Sequence, residues 1–121
     1  MNDILYIDSE LADRIEKRVR QVAIEVSSVA TISTIEGTSK QKLSFILKQI
    51  AIDYNCYIKS WVTFGEAHAE CYNAKSYNED NDNTYGLISA VTEENAIIAA
   101  FMWLSDRQNF NKVAFTKGMN S

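Results

Sequence analysis

The apolar positions of the chain fall into two helical stripes, three alternating segments and one continuous block. The first stripe lies in residues 9–30, where apolar side chains recur at steps of three and four, the spacing of one helix face. Its members are Leu11, Ile15, Val19, Val22, Val26 and Val29. Asp8 or Ser9 can cap this helix. The β-branched residues of VSSVATISTI leave open whether residues 24–36 are helix or strand.

Residues 40–54 predict a second helix with two apolar faces. The main face carries Leu43, Ile46, Leu47, Ile50, Ala51 and Tyr54. Phe45 and Ile52 lie seven residues apart and form a second stripe roughly opposite the first. One face can serve the core of the domain, so the other is available to a further element or to a second subunit.

From Cys56 onward the apolar period changes to two, which predicts strands. CYIKSWVTFG is the first, with Tyr57, Lys59 and Trp61 on the face opposite Cys56 and Ile58, and EAHAECYNAKSY and TYGLISAV follow it. Successive strands with short connections favour an antiparallel meander. The predicted class is α+β: three antiparallel strands, with a fourth possible, covered by about three helices.

The continuous block is Ala96–Leu104 (AIIAAFMWL), which is apolar on every side of a helix. Thr92 can cap this helix, and Glu93 and Glu94 suit its first turn. Such a helix needs cover all round, from a second layer, a partner or another copy of the chain. We expect a homo-oligomer, with the interface at Phe45, Ile52, Ile98 and Met102.

Trp61 in a strand, the polar strand residues after it and the segment TEENAIIAAFMWL resemble the small phage-encoded α-β-α sandwich domains. The resemblance covers roughly residues 43–104. The chain departs from that pattern at the helix entry, where Glu93 rather than proline follows Thr92. The resemblance implies a phage or prophage origin, and it carries over no functional residues.

The length of 121 residues fits one domain. We expect residues 1–36 to form an N-terminal amphipathic helix with an extension, and residues 107–121 a partly ordered tail. No apolar run approaches the roughly 20 residues of a membrane span, and MNDILYIDSE does not read as a secretory signal, so a cytoplasmic protein is expected. Cys56 and Cys71 are expected to be reduced core thiols, although a disulfide between neighbouring strands would be possible in an oxidising compartment.

The net charge of −4 argues against broad nucleic-acid binding. Basic residues are concentrated near the start of the chain, where they could hold a phosphate group. Aromatic residues of the first predicted strand could stack on a ring. The candidate residues for binding a ligand or partner are Arg14, Lys17, Arg18, Arg20, Tyr57 and Trp61.

Glu66, His68 and Glu70 alternate, so on a strand they share one face. A histidine with carboxylates can bind a metal or act in acid–base chemistry. There is no second histidine, and a polar strand face explains the pattern, so no catalytic residue, metal or cofactor is assigned. Residues 78–84 (NEDNDNT) have the oxygen-rich composition of a calcium loop but lack its glycine and final glutamate, which favours a plain hairpin loop.

Three functions are compatible with these observations. The first is a non-enzymatic accessory protein of the phage type, which binds a host or phage protein as an inhibitor or modulator. The second is an oligomer that sequesters a small anionic ligand such as a nucleotide. The third is a hydrolase or metal enzyme centred on His68. No catalytic sequence motif supports the third, and neither membranes nor nucleic acids are expected partners.

Overall fold

The computed structural model of the chain describes residues 5–26, 35–75 and 85–107. In chain order the elements are β1 (Leu5–Ile7), α1 (Ser9–Val26), α2 (Lys40–Asp53), β2 (Cys56–Thr63), β3 (Glu66–Asn73), β4 (Tyr85–Ala90) and α3 (Glu93–Arg107). This arrangement confirms the α+β class. The proposed loop at residues 78–84, most of the helix-or-strand ambiguity at residues 24–36 and nearly all of the C-terminal tail lie outside the described residues.

The four strands form one mixed sheet in the order β1-β4-β3-β2. The prediction of a purely antiparallel sheet was wrong at β1, which runs parallel to β4 with Leu5 opposite Ile88 and Ile7 opposite Ala90. A strand of three residues is too short to display a clear alternation. Its partner follows almost 80 residues later, and the helices between them provide the crossover that a parallel pair requires.

Each of the helices α1, α2 and α3 is preceded by a residue whose side chain accepts a hydrogen bond from a backbone amide of the first helical turn. Asp8 Oδ1 accepts from the Leu11 amide at 2.8 Å, and Ser39 Oγ accepts from the Lys42 amide at 3.2 Å. Thr92 Oγ1 accepts from the Asn95 amide at 3.3 Å. These contacts satisfy donors that a helix leaves unpaired at its first turn. The predicted caps at Asp8 and Thr92 are therefore confirmed.

The apolar block lies in α3, and the chain itself covers it on every side. Strands β2, β3 and β4 pack against α3, and so do α1 and α2, of which α2 also contacts β2 directly. Ile98, Phe101 and Leu104 are consequently fully buried. A helix that is apolar on every side was expected to be buried by a second layer, a partner or another copy of the chain. The structure shows the first of these, within one chain.

All three of these helices lie on one face of the sheet, here called the inner face. Cys56, Ile58, Cys71 and Ile88 point to this side and belong to the core. Both cysteines are buried and neither forms a disulfide, in agreement with the expected core thiols. In the described ranges, no helix combines the length and apolar character needed to cross a bilayer.

Candidate functional site

The opposite face of the sheet carries aromatic and charged side chains, and we call it the aromatic face. Because side chains alternate along a strand, every second residue of β2, β3 and β4 points to this side. The register aligns them in rows across the strands. The first row is Tyr57, Tyr72 and Tyr85, the second is Lys59, Glu70 and Leu87, and the third is Trp61, His68 and Ser89.

The rings of neighbouring strands are in contact. The centroids of Tyr57 and Tyr72 are 5.6 Å apart, and those of Trp61 and His68 are 5.5 Å apart. Tyr57 is 42% exposed and Trp61 40% exposed, so each offers ring surface to solvent. Cross-strand contacts of this kind restrict the orientations of the rings.

Charged groups on the aromatic face are engaged with its rings. Lys59 Nζ lies 5.4 Å from the centre of the Tyr72 ring, which is a cation–π distance. The Tyr85 hydroxyl donates to Glu70 Oε2 at 2.6 Å. These contacts leave a surface whose exposed rings lie along β2, at one edge of the sheet, with carboxylates on the neighbouring strand β3.

His68 lies between two hydroxyl groups. Its Nδ1 is 2.7 Å from Ser89 Oγ, and its Nε2 is 2.9 Å from Thr63 Oγ1 and 4.0 Å from the nearest oxygen of Glu66. Ser89 is only 2% exposed, so its hydroxyl does not reach solvent as a nucleophile must. Glu70 shares the face, as predicted, but bonds Tyr85. Within the described part of the chain, no group of three His, Cys, Asp or Glu residues is placed to hold a metal ion.

Arg20 has a structural environment that differs from those of the other predicted basic residues. Its Nε donates to Glu16 at 2.9 Å, and its two terminal nitrogens donate to the Ile35 and Thr38 carbonyl oxygens. The side chain therefore ties α1 to the segment before α2. Arg18 lies 3.9 Å from Asp106 in a largely exposed ion pair, and Arg14 and Lys17 are exposed on α1.

A second polar junction joins the N-terminal part of α1 to the starts of α2 and α3. Lys40 Nζ lies 2.9 Å from Asp13 and 3.5 Å from Glu16, and it donates to the amide oxygen of the buried Asn95 at 3.1 Å. The hydrogen bond to Asp13 is the largest influence on Lys40, and it raises the pKa of the ammonium group although burial opposes it.

The predicted binding residues divide between two separate surfaces. Tyr57 and Trp61 lie on the aromatic face, whereas Arg14 and Lys17 lie on α1, which packs on the far side of α3 from the sheet. In one chain the basic residues and the rings therefore do not meet around a single ligand.

Sequence reasoning missed a polar contact between α2, β2 and α3. Lys48 Nζ donates to Ser60 Oγ at 2.8 Å, and Ser60 Oγ donates to Glu93 Oε2 at 2.7 Å. A pocket of about 110 Å³ adjoins this contact, lined by Gln41, Ser44, Phe45, Lys48, Glu93, Glu94 and Ile97. The available signal was Ser60 itself, a polar residue between Ile58 and Val62 on an otherwise apolar face.

The four residues expected at an oligomer interface have different environments. Phe45 is 65% exposed and Ile52 is 47% exposed, so both are accessible on α2. Met102 is half-buried against the core, and Ile98 is fully buried inside the chain, where it is not accessible to a partner. The C-terminal end of β2 and the turn after it add exposed apolar surface that was not singled out, at Val62 and at Phe64 respectively.

The two thiols are in an environment that opposes ionisation. Burial raises the pKa of Cys56 to about 11, partly offset by a hydrogen bond from Asn73, and burial also raises the pKa of Cys71. A thiolate is the reactive form of cysteine, so these groups do not have the character of a nucleophile.

Comparisons of the chain with family models, curated proteins and solved structures gave no match.

Proposed function

We propose that this chain is a non-enzymatic binding protein that acts by occupying a surface of another protein. The observation that carries the proposal is the aromatic face, on which Tyr57 and Trp61 expose ring surface while cross-strand neighbours hold them in place. Tyrosine and tryptophan are enriched among the residues that dominate binding energy at protein interfaces. Their side chains have few rotatable bonds, so little conformational entropy is lost on binding.

The charge of this face suggests the chemistry of the partner. Glu66 is partly exposed beside His68, whose ring contacts that of Trp61, and the chain as a whole carries a net charge of −4. An arginine or lysine can stack on an aromatic ring and pair with a carboxylate at the same time. The proposed partner is therefore a protein with an exposed basic residue next to an apolar patch. We further propose that the partner is a host or phage protein in the cytoplasm and that binding inhibits or modulates it. The phage resemblance supports only the phage origin, and the exposed apolar surface supports binding.

Capture experiments with matched variants test this proposal. The immobilised chain is exposed to a bacterial lysate beside two variants, Tyr57→Ala/Trp61→Ala on the aromatic face and Phe45→Ala/Ile52→Ala on α2. We expect a protein that the wild type and the α2 variant retain and the aromatic-face variant loses. The affinity of that protein, once identified, should fall at least tenfold with Glu66→Lys, which reverses the charge. Equal retention by all three chains contradicts the proposal.

A nucleotide-sequestering oligomer is the alternative, and it needs α1 of one subunit beside the aromatic face of another. Thermal unfolding with and without nucleotides distinguishes the two. A ligand at about 100 times its dissociation constant adds roughly 2.7 kcal/mol to the stability of the folded state. A rise in the melting temperature that Trp61→Ala abolishes would favour sequestration over protein binding.

A further inference from the structure

Strand β2 lies at an edge of the sheet. Only β3 pairs with it among the described residues, so one side of the β2 backbone has no strand beside it there. The opposite edge strand, β1, has three residues, whereas β2 has eight. A regular strand of this length at an edge can pair with a further strand.

Exposed apolar residues lie at both ends of β2. At its C-terminal end Val62 is 67% exposed, and Phe64 in the following turn is fully exposed. At its N-terminal end lies Ile52, in the last turn of α2.

The apolar stripe on α2 lies on the side of that helix that borders β2. At 100° per residue, Phe45 and Ile52 are within about 20° of each other and about 40–60° from Lys48. Lys48 is the α2 residue that bonds Ser60 on β2. The stripe therefore runs along the same edge that β2 leaves open.

We propose that a second copy of this chain pairs antiparallel with β2 around a two-fold axis at Ser60. Antiparallel pairing joins opposite ends of the two strands, so Ile58 lies opposite Val62 of the partner subunit. The partner's Phe64 then lies beside Cys56, at the end of β2 where Ile52 is exposed. The exposed apolar groups at one end of the strand thus cover those at the other.

Charge favours this register over its neighbour. With Ser60 on the axis, Lys59 lies opposite Trp61 of the partner subunit, where a cation and an indole attract each other. A shift that centres the axis on Lys59 would place two like charges directly opposite each other, which is unfavourable. The match is self-complementary, as a two-fold interface requires, and it joins two sheets of four strands into one of eight. The proposed dimer does not depend on the proposed function.

Light scattering coupled to size exclusion tests the dimer without any other partner. Val62→Lys places a charge at the proposed contact, and Val91→Lys makes the same change at an exposed residue that follows β4, two strands away. We expect a dimer for the wild type and for Val91→Lys, and a monomer for Val62→Lys. A monomeric wild type over the accessible concentration range, or a dimer that Val62→Lys leaves intact, overturns the proposal.

Cysteine cross-linking tests the register and does not depend on the lysine variants. Ser60→Cys places two thiols directly opposite each other across the axis, within reach of a disulfide. Lys59→Cys is the matched control, because its thiol would face Trp61 of the partner subunit. Under mild oxidation we expect a covalent dimer with Ser60→Cys and much less with Lys59→Cys. The reverse result, or no covalent dimer with either variant, overturns the two-fold pairing at Ser60.

Discussion

The indole ring of Trp103 lies directly against the backbone of Gly86. A Cβ atom on Gly86 would come within 2.8 Å of Trp103 Cε2, which is closer than two carbon atoms tolerate, and within 3.1 Å of Cys71 Sγ, which is a tight contact. The contact joins α3 to β4 at the centre of the inner face. A glycine is required here for the space that it leaves, since its φ is not in the left-handed region.

Gly86→Ala should therefore lower the free energy of unfolding by about 1–3 kcal/mol, the usual cost of overpacking a core. Urea denaturation measures the loss. Gly65→Ala is the comparison, because Gly65 has a φ of +81° and open space around it, so its cost comes from the backbone. Trp103→Phe should reduce the cost of Gly86→Ala and leave that of Gly65→Ala unchanged. Additive effects of Trp103→Phe and Gly86→Ala would contradict the packing explanation.

Arg20 should prove structural where sequence reasoning placed it in a binding site. Arg20→Lys keeps the charge but loses the fork that reaches the Ile35 and Thr38 carbonyls. We expect this change to cost about 1–2 kcal/mol of stability. Arg14→Lys, at an exposed position of α1, should cost almost nothing. Hydrogen exchange at residues 35–38 should accelerate in the Arg20 variant alone, and unchanged exchange there would argue against the proposed tie.

Lys40 should give the chain a stability that disappears at alkaline pH. Its pKa in the folded chain is raised above the unfolded value, chiefly by the hydrogen bond to Asp13. The contribution is thus fully present below the unfolded pKa of about 10.4 and lost as pH rises through the folded pKa. Because Lys40 is partly exposed, solvent screening limits the contribution to roughly 1 kcal/mol or less.

The comparison of Lys40→Met with Lys42→Met, at an exposed position of the same helix, tests this contribution. Urea denaturation at intervals from about pH 8 to about pH 11.5 should show a gap between the two variants that closes at the alkaline end. A gap that stays constant over this range would mean that packing of the lysine chain, and not its charge, is responsible.

The two thiols should react slowly in the folded chain. With a pKa of about 11, roughly one Cys56 in a thousand is thiolate at pH 8, and burial also restricts access of a reagent. We expect a thiol-reactive chromophore to label no cysteine rapidly in native buffer and both cysteines in denaturant. A Val91→Cys variant, exposed at the surface, should gain one fast-reacting thiol. Fast labelling of the wild type would show that the core opens.

The periodic elements could be predicted closely from the sequence, and the non-local contacts could not. Helix α2 has a regular pattern many residues long and ends within one residue of the expected limit, whereas β3 begins at Glu66 as expected but ends at Asn73, before the end of the expected segment EAHAECYNAKSY. Strand β1 has three residues and pairs with a strand far along the chain, which no local pattern reveals. Arg20 looked like Arg18 in the sequence because its partners are carbonyl oxygens of a distant segment.

The burial of α3 posed a different difficulty. The pattern established that Ala96–Leu104 needed cover on all sides, but not that the sheet, α1 and α2 of the same chain would all pack against it. Ile98 was assigned to a subunit interface for that reason, and it lies inside the chain. On the aromatic face, alternation placed Tyr57 and Trp61 correctly, but the register that brings Tyr72 and His68 beside them depends on strand pairing.

The contacts of α3 with the sheet, α1 and α2 have a consequence for biosynthesis. This helix is the last of the described elements to leave the ribosome, and both the sheet and the pair α1 and α2 bury their apolar sides against it. Until Glu93–Arg107 emerges, those surfaces lack the helix that covers most of their apolar area, and exposed apolar surface of this kind invites aggregation. Nascent chains that stall before residue 93 should therefore depend on chaperones more than chains in which α3 has emerged.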